Sequence, residues 1–563
     1  MNASRLGKQR FFSLCLFLFA WILAIVFRLF GLQVLEYTTY TAKIKAQTHR
    51  VEELHSKRGT ITDRHGEILA ISLQSKSAYI RNKDEAHSLS VLRGFCAALP
   101  LSPLQRTAIA RRIRRGEKFV WLKRKLSDEE YARVKPLAAD PATAGAIDFL
   151  DEYRRVYPQG PLAAHVLGGV GIDEQALGGI ETGLDSEIKG RGGRLKVLID
   201  ARRRIFDFKV LEPPVPGRDI HLSLDAALQF FVERELEAAV GRSRAGGGAV
   251  VVLDSRSGQV LALASCPGYN PETIWSTPPP RLKNRALSFL YDPGSTFKVV
   301  LAASALENRA CGRQETFDCH NGVFTFHDRQ ITDVHPFARL SFDDIFVQSS
   351  NIGATQVGLR LGGDRYFATI RRFGFGRRTG IGLPAEERGI LHPPERWSGV
   401  SLAYLSFGYE IAVTPLQMAV AFNVAASGGF RVTPQILRDA GPAGERERVL
   451  SPGSSEQLAE ILTEVVRRGT GRRAAIAGLD IAGKTGTAHK IKGGRYAGAY
   501  VASFGGFFPV RDPRVTVFVV LDEPQGEYFG GDVAAPLFKA IAEKIMLQLG
   551  ILPAQPAIRE IRL

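Results

Sequence analysis

Cysteine, methionine and tryptophan are scarce in this 563-residue chain, with 5, 3 and 4 copies. Cys15, Cys96, Cys266, Cys311 and Cys319 make no metal-ligand spacing and are too few for a disulfide scaffold. Cys311 and Cys319 are near enough in sequence to bridge in an oxidising compartment; two free thiols are the other reading. Acidic residues are also in deficit, since 57 Asp and Glu against 74 Lys and Arg leave a formal net charge of +17. That balance suits an acidic polymer or anionic headgroups. The cations are spread along the chain, with no basic run of interleaved aromatics, which argues against nucleic acid. No phosphate loop, metal or cofactor is expected. Large-scale disorder is excluded, because 45% of residues are hydrophobic and 23% charged. The length allows roughly two to four domains.

Long apolar runs are rare too. Phe11 to Phe27 is uncharged, follows Arg5, Lys8 and Arg10, and extends to Leu32 if Arg28 snorkels. About twenty residues at helical rise span a bilayer core, and the basic flank comes first, so the expected element is a membrane anchor with a cytoplasmic N-terminus. It is long for a cleaved signal peptide, and no small-x-small site follows it directly. The expected layout is a cytoplasmic tail at 1–10, the anchor at 11–32, an elongated N-terminal pedestal at 33–212, a linker at 213–217, a larger domain at 218–550 and a tail at 551–563.

From Glu36 to Leu54 the pattern predicts a polar, helical stalk. Arg58 to Ala70, RGTITDRHGEILA, reads as strand, turn and strand. A basic helical segment is expected from Ser102 to Leu137. RVYPQG at Arg155 to Gly160 leads to Glu181. Neither glycine-punctuated stretch holds a nucleophile, so both are read as structural brackets, with Arg58, Asp63, Arg64, Arg155 and Glu181 available for an ion-pair network. After the Pro-rich linker, Asp225 to Val240 is predicted as an amphipathic helix. Ala249 to Asp254 and Gln259 to Ala264 form a hairpin, and Ile481 to Lys490, Tyr500 to Phe508 and Val515 to Asp522 supply three more strands. Val533 to Leu549 closes as a helix. The fold class is therefore α+β, a mainly antiparallel sheet covered by helices.

Chemistry concentrates in three stretches. Asp292 and Pro293 are expected to cap and open a helix with Ser295 in its first turn and Lys298 on the same face. The apolar run that follows buries that helix, which drives the lysine toward its neutral, proton-accepting form. Ser349-Ser350-Asn351 is a polar loop between helical segments. Lys484-Thr485-Gly486-Thr487 lies on an edge strand, where Gly486 is read as leaving room for a substrate backbone.

In the order S-x-x-K, S-x-N, K-T-G these stretches match the signature shared by penicillin-binding proteins and class A β-lactamases. With the anchor and the two brackets, the chain resembles a class B penicillin-binding protein, a monofunctional peptidoglycan D,D-transpeptidase. YDPGSTFK at Tyr291, TPLQ at Thr414, GKTGTAHK at Gly483 and GGDVAAPLF at Gly530 favour its cell-division branch. Asp292 departs from the usual Glu. The resemblance implies a transpeptidase domain at 218–550, catalytic Ser295, Lys298, Ser349 and Lys484, and substrate binding by Asn351, Thr485, Gly486 and Thr487. It also implies stem peptides ending in D-Ala-D-Ala, acylation by β-lactams, a membrane glycosyltransferase and other division proteins as partners, and a periplasmic catalytic domain on the inner membrane. An elongation-specific transpeptidase, a D,D-carboxypeptidase and a β-lactam sensor are the alternatives. A β-lactamase is disfavoured, since no E-x-x-L-N stretch supplies a deacylating base.

Overall fold

The computed structural model describes residues 3–141, 143, 145–199, 205–438, 445–492 and 495–552; most of the expected C-terminal tail lies outside them. The chain divides into two compact units, Met1–Arg58 with Lys189–Gly217, and Gly59–Ile188 with Arg218–Leu563.

In the smaller unit a helix over Ala3–Phe30 runs into a π-turn at Gly31–Leu35. Arg10–Leu35, 26 residues of mean hydropathy 2.4, is long and apolar enough to cross a membrane. Beyond it the expected stalk is only partly helical. Tyr37–Thr48 is a helix, but His49–Leu54 is a strand, paired antiparallel with Gly193–Ile199, which pairs in turn with Ile205–Glu212. Pro213–Gly217 belongs to this unit: Arg191 and Val215 exchange two backbone bonds of 2.9 Å, and Gly217 N donates to Lys57 O at 2.9 Å.

The larger unit opens with a sheet built on Ile68–Arg81. Phe119–Leu126 pairs with one part of this long strand, Ile61–Thr62 with another, and Ile147–Val156 runs along its length. The helical reading of Ser102 to Leu137 fails in its middle. The helix Pro103–Arg114 stops before Gly116, whose φ of +75° suits a helix end, and Phe119-Val120-Trp121-Leu122 continues as a strand. Ser127 and Glu130 then form a capping box that opens Asp128–Ala139. The basic composition concealed a break that β-branched and aromatic residues announce.

The brackets are tied as charged groups must be when water is removed. Arg155 Nε meets Glu181 Oε1 at 2.6 Å with both side chains buried, and Arg155 Nη1 donates to Gly59 O at 2.7 Å. Asp63 makes backbone bonds and, among the described residues, no ion pair. It accepts from His65 N, Glu67 N and Ala226 N at 2.8–3.0 Å, so it shapes its own turn and holds the start of Ala226–Ser243.

The second sheet has the order 260–266, 247–254, 515–522, 495–508, 482–492, antiparallel throughout and drawn from both ends of its domain. Every residue of Val515–Asp522 is buried, as for a central strand covered on both faces. Ala226–Ser243 and Gly530–Leu549 pack one face, and the wholly buried Pro415–Ala426 packs the other. In the helix Lys298–Glu307 every residue but the last is likewise buried. Cys311 and Cys319 are free thiols; Ser350 Oγ lies 3.7 Å from the sulfur of Cys319.

Candidate active site

Ser295 does not sit in the first turn of an α-helix. Gly294–Phe297 is a 3₁₀ turn and the α-helix begins at Lys298. Asp292 supplies no cap; burial, helped by nearby Glu410, pushes its carboxyl up to about 6. The turn is held by its backbone. Gly294 adopts φ +53° and donates to Gly408 O at 3.0 Å, and Thr296 Oγ1 donates to Pro293 O at 2.8 Å. A Cβ at Gly408 would meet Gly294 O at 2.1 Å, so only glycine permits this approach.

Lys298 is fully buried, and its ammonium has three donors to place. Nζ lies 2.6 Å from Ser349 O, 2.8 Å from Asn351 Oδ1, 3.1 Å from Ser295 Oγ and 3.4 Å from Ser349 Oγ. Burial pulls its pKa down to about 7, with Asp333 opposing the shift. A large share of Lys298 is then neutral near pH 7, beside a hydroxyl whose proton it can take.

Ser349 holds a left-handed backbone, φ +62°, between the helices Phe342–Val347 and Asn351–Leu361. Such a conformation in a non-glycine residue costs about 1–2 kcal/mol and marks a position held by its surroundings. Its hydroxyl accepts from Lys484 Nζ at 2.8 Å. Lys484 is also fully buried, and burial followed by repulsion from Lys298 holds its pKa well below the usual lysine range. Ser349 Oγ thus bridges two lysines, one from each flanking motif.

On the edge strand, alternation turns Thr485 and Thr487 away from Lys484. Thr485 Oγ1 pairs with Thr470 Oγ1 at 2.8 Å, and Thr487 Oγ1 accepts from Gly530 N at 2.9 Å. Gly486 has a different reason from the one expected. A Cβ there would meet Ser503 Oγ at 2.6 Å, Thr296 Cγ2 at 2.8 Å and Pro293 O at 3.1 Å, so the glycine lets the strand close on the Ser295 turn. The stretch Gly478 to Thr485 does carry the spacing of a phosphate loop, contrary to expectation. Gly483 to Thr485 lie within an antiparallel strand rather than a loop opening a helix, so the spacing does not make a phosphate loop here.

Residues 248–543 match the family described as penicillin binding protein transpeptidase domain, and 53–222 match the penicillin-binding protein dimerisation domain. The chain belongs to the penicillin-binding proteins. It is 33% identical to the probable peptidoglycan D,D-transpeptidase PenA of Neisseria gonorrhoeae, across 90% of this chain and 87% of that one. It is 31% identical to the peptidoglycan D,D-transpeptidase FtsI of Escherichia coli, across 94% and 91%. Penicillin binding protein 3 of Mycobacterium tuberculosis, solved with aztreonam, superposes with a TM-score of 0.69 at 27% identity, covering 90% of this chain and 98% of that one.

Within this penicillin-binding fold the three motifs converge on one hydrogen-bonded cluster with a fourth contributor that no motif announced. Asp333 accepts from Asn351 N at 2.5 Å, Ser350 Oγ at 2.6 Å and Ile352 N at 3.1 Å, anchoring the start of the helix that presents Asn351. Thr332 O holds the other end of the Asn351 amide at 3.0 Å. The only local signal was an Asp following a β-rich stretch. Tyr409 accepts from His489 N at 3.1 Å, and the exposed His489 rests 4.7 Å from the Tyr500 ring, which stacks on Tyr528 at 3.9 Å. Trp397 donates to His392 O at 2.8 Å and packs edge-on against Phe367.

Proposed function

We propose that this protein is a peptidoglycan D,D-transpeptidase of the septal wall, working through a serine acyl-enzyme. Ser295 Oγ attacks the carbonyl between two terminal D-alanines while neutral Lys298 takes the hydroxyl proton. The backbone N–H groups of Ser295 and Thr487 face the developing oxyanion. Ser349, between Lys298 and Lys484, passes a proton to the departing amine, and D-alanine leaves. An amine of a neighbouring stem then attacks the ester, restoring the Ser295 hydroxyl and closing a crosslink. Asn351 orients the donor amide, and Lys484, Thr485 and Thr487 hold the terminal carboxylate, with Gly486 keeping their strand close. A β-lactam acylates the same serine and stays.

The observation that carries this reading is the buried Lys298 amine 3.1 Å from Ser295 Oγ, with Ser349 and Asn351 closing around it. Family membership and the names of the relatives support the reaction class. The apolar N-terminal helix supports an anchor at 11–32; the pedestal at 33–212, the linker at 213–217 and the catalytic domain at 218–550, bounds that differ from the two compact units, then lie on the outer side of the inner membrane. A membrane glycosyltransferase that makes the strand is the partner this chemistry requires.

Incubating the protein with a stem-peptide donor and an amine acceptor, then separating products by mass spectrometry, tests it. Crosslinked product is expected; free D-alanine with only hydrolysed donor would make it a carboxypeptidase instead. Depletion in cells should give filaments, and rounded cells would assign it to elongation.

A further inference from the structure

Two of the four tryptophans share one cleft of about 830 Å³ in the larger unit. It opens between Phe119–Leu126 with its neighbouring helix Pro103–Arg114 and the turn Pro271–Ser276. None of the residues of the three catalytic motifs lines it. Trp275 stands 65% exposed on its turn. Trp121 is braced by the Arg124 guanidinium 5.0 Å from its ring and by the edge of Phe119 at 4.8 Å. Two large rings on one concave surface, one of them mostly exposed, make the kind of apolar patch that marks a contact surface.

The lining cations outnumber the lining carboxylates, but most of them are already paired. Arg112, Lys123, Arg124, Lys125, Arg154 and Arg155 line it against the single carboxylate of Glu272. Five of these cations are answered by carboxylates outside the lining, Arg112 by Glu117, Lys123 by Glu130, Arg124 by Glu152 and Asp173, Lys125 by Glu174 and Arg155 by Glu181. Arg154 alone of the lining cations makes no ion pair among the described residues, although it lies near enough to Glu130 to help lower that carboxyl's pKa, and it is the lining cation left to meet an anion. Gln105 and Gln175 add amides beside the two indoles. Flat aromatic faces flanked by amides and cations suit a pyranose ring, whose C–H face stacks while its hydroxyls take hydrogen bonds, on a polymer that also carries carboxylates.

We propose that this cleft binds an uncrosslinked, peptide-bearing glycan strand at a second point, with sugars on Trp121 and Trp275 and stem carboxylates at Arg154. The proposal rests on the transpeptidase reading. Holding a polymer here raises the effective concentration of its stems at the Ser295 cleft without adding any contact there.

The test uses the full chain in detergent with Ser295 already acylated by penicillin, so that the catalytic cleft is closed. The probe is a fluorescent, uncrosslinked glycan strand with pentapeptide stems, titrated at low salt. Acylated protein is expected to bind it, Trp275→Ala to raise Kd about tenfold and Arg154→Gln about threefold. Strands stripped of stem peptides should bind more weakly yet keep their dependence on Trp275. No binding by the acylated protein, or equal binding by both variants, overturns the proposal. So does poly-L-glutamate binding in a Trp275-dependent way while stripped strands do not bind, which would make the cleft a dock for an acidic protein segment. Penicillin acylation is measured in the same samples: its persistence with no strand binding removes the second site and leaves the transpeptidase reading standing, whereas its loss strikes that reading itself.

Discussion

Two buried cations in the larger unit have opposite surroundings. Arg155 sits at 5% exposure with its charge answered by Glu181 at 2.6 Å and by a backbone carbonyl. Lys298 sits at 0% exposure with no carboxylate in hydrogen-bond range among the described residues, only hydroxyl, amide and carbonyl oxygens, and a second buried lysine bound to the same Ser349. Burial alone does not decide what a cation does. A carboxylate partner keeps the charge and makes a bracket, while neutral acceptors let the proton go and make a base. Arginine suits the first position and lysine the second, because the guanidinium holds its proton and the amine gives it up.

Breaking the catalytic side should have the largest effect. Lys298→Met is expected to slow acylation by fluorescent penicillin about a thousandfold while the protein stays folded by circular dichroism. Labelling at the normal rate would place the base elsewhere. Next comes the bracket: Glu181→Ala leaves Arg155 buried and unpaired and should destabilise the larger unit by about 3–5 kcal/mol in urea titration. The acylation rate of its folded fraction is expected to be unchanged, so a fall in that rate would erase the contrast between the two sites.

The pH dependence sharpens it. With Lys298 near 7, acylation should rise about tenfold per pH unit below that point and level off above it. Stability runs the same way for a distinct reason. The folded pKa lies below the ordinary lysine value of 10.5, so between about 7 and 10.5 the unfolded chain binds more protons and stability increases with pH. Lys298→Met should remove that part of the slope, and an unchanged slope would contradict the depressed value.

Smaller effects are expected at the supports. Gly486→Ala should cost about 1–3 kcal/mol, because its Cβ would press on the Ser503 hydroxyl and the Pro293 carbonyl. Asp333→Asn keeps the shape but removes a charge that favours protonated Lys298, so the acid limb of the pH profile should move to lower pH by less than about one unit. A shift to higher pH would mean that Asp333 acts on Lys298 only through the backbone it anchors.

Local patterns carried much of this reading. Alternating apolar runs predicted the five strands of the second sheet within a few residues, and the spacing of Ser295 from Lys298 put base and nucleophile on one turn. The strand at Phe119 was masked by flanking helices rich in arginine, and a basic composition says nothing about backbone state. Asp292 looked like a cap because Asp-Pro often opens helices, but the Gly408 approach pulls the following residues into a 3₁₀ turn. Asp333 had no motif, since its partners lie 17–19 residues away.

The sequence by itself determined which residues bear chemistry, the apolar anchor, and the five strands of the second sheet, because these depend on residue type and short-range periodicity. Only the tertiary structure decided that Lys298 and Lys484 meet on one hydroxyl, that Gly486 is needed by the Ser295 turn, and that two tryptophans and Arg154 line one cleft. Those outcomes depend on desolvation and on contacts between residues far apart in the chain, and no local pattern encodes either.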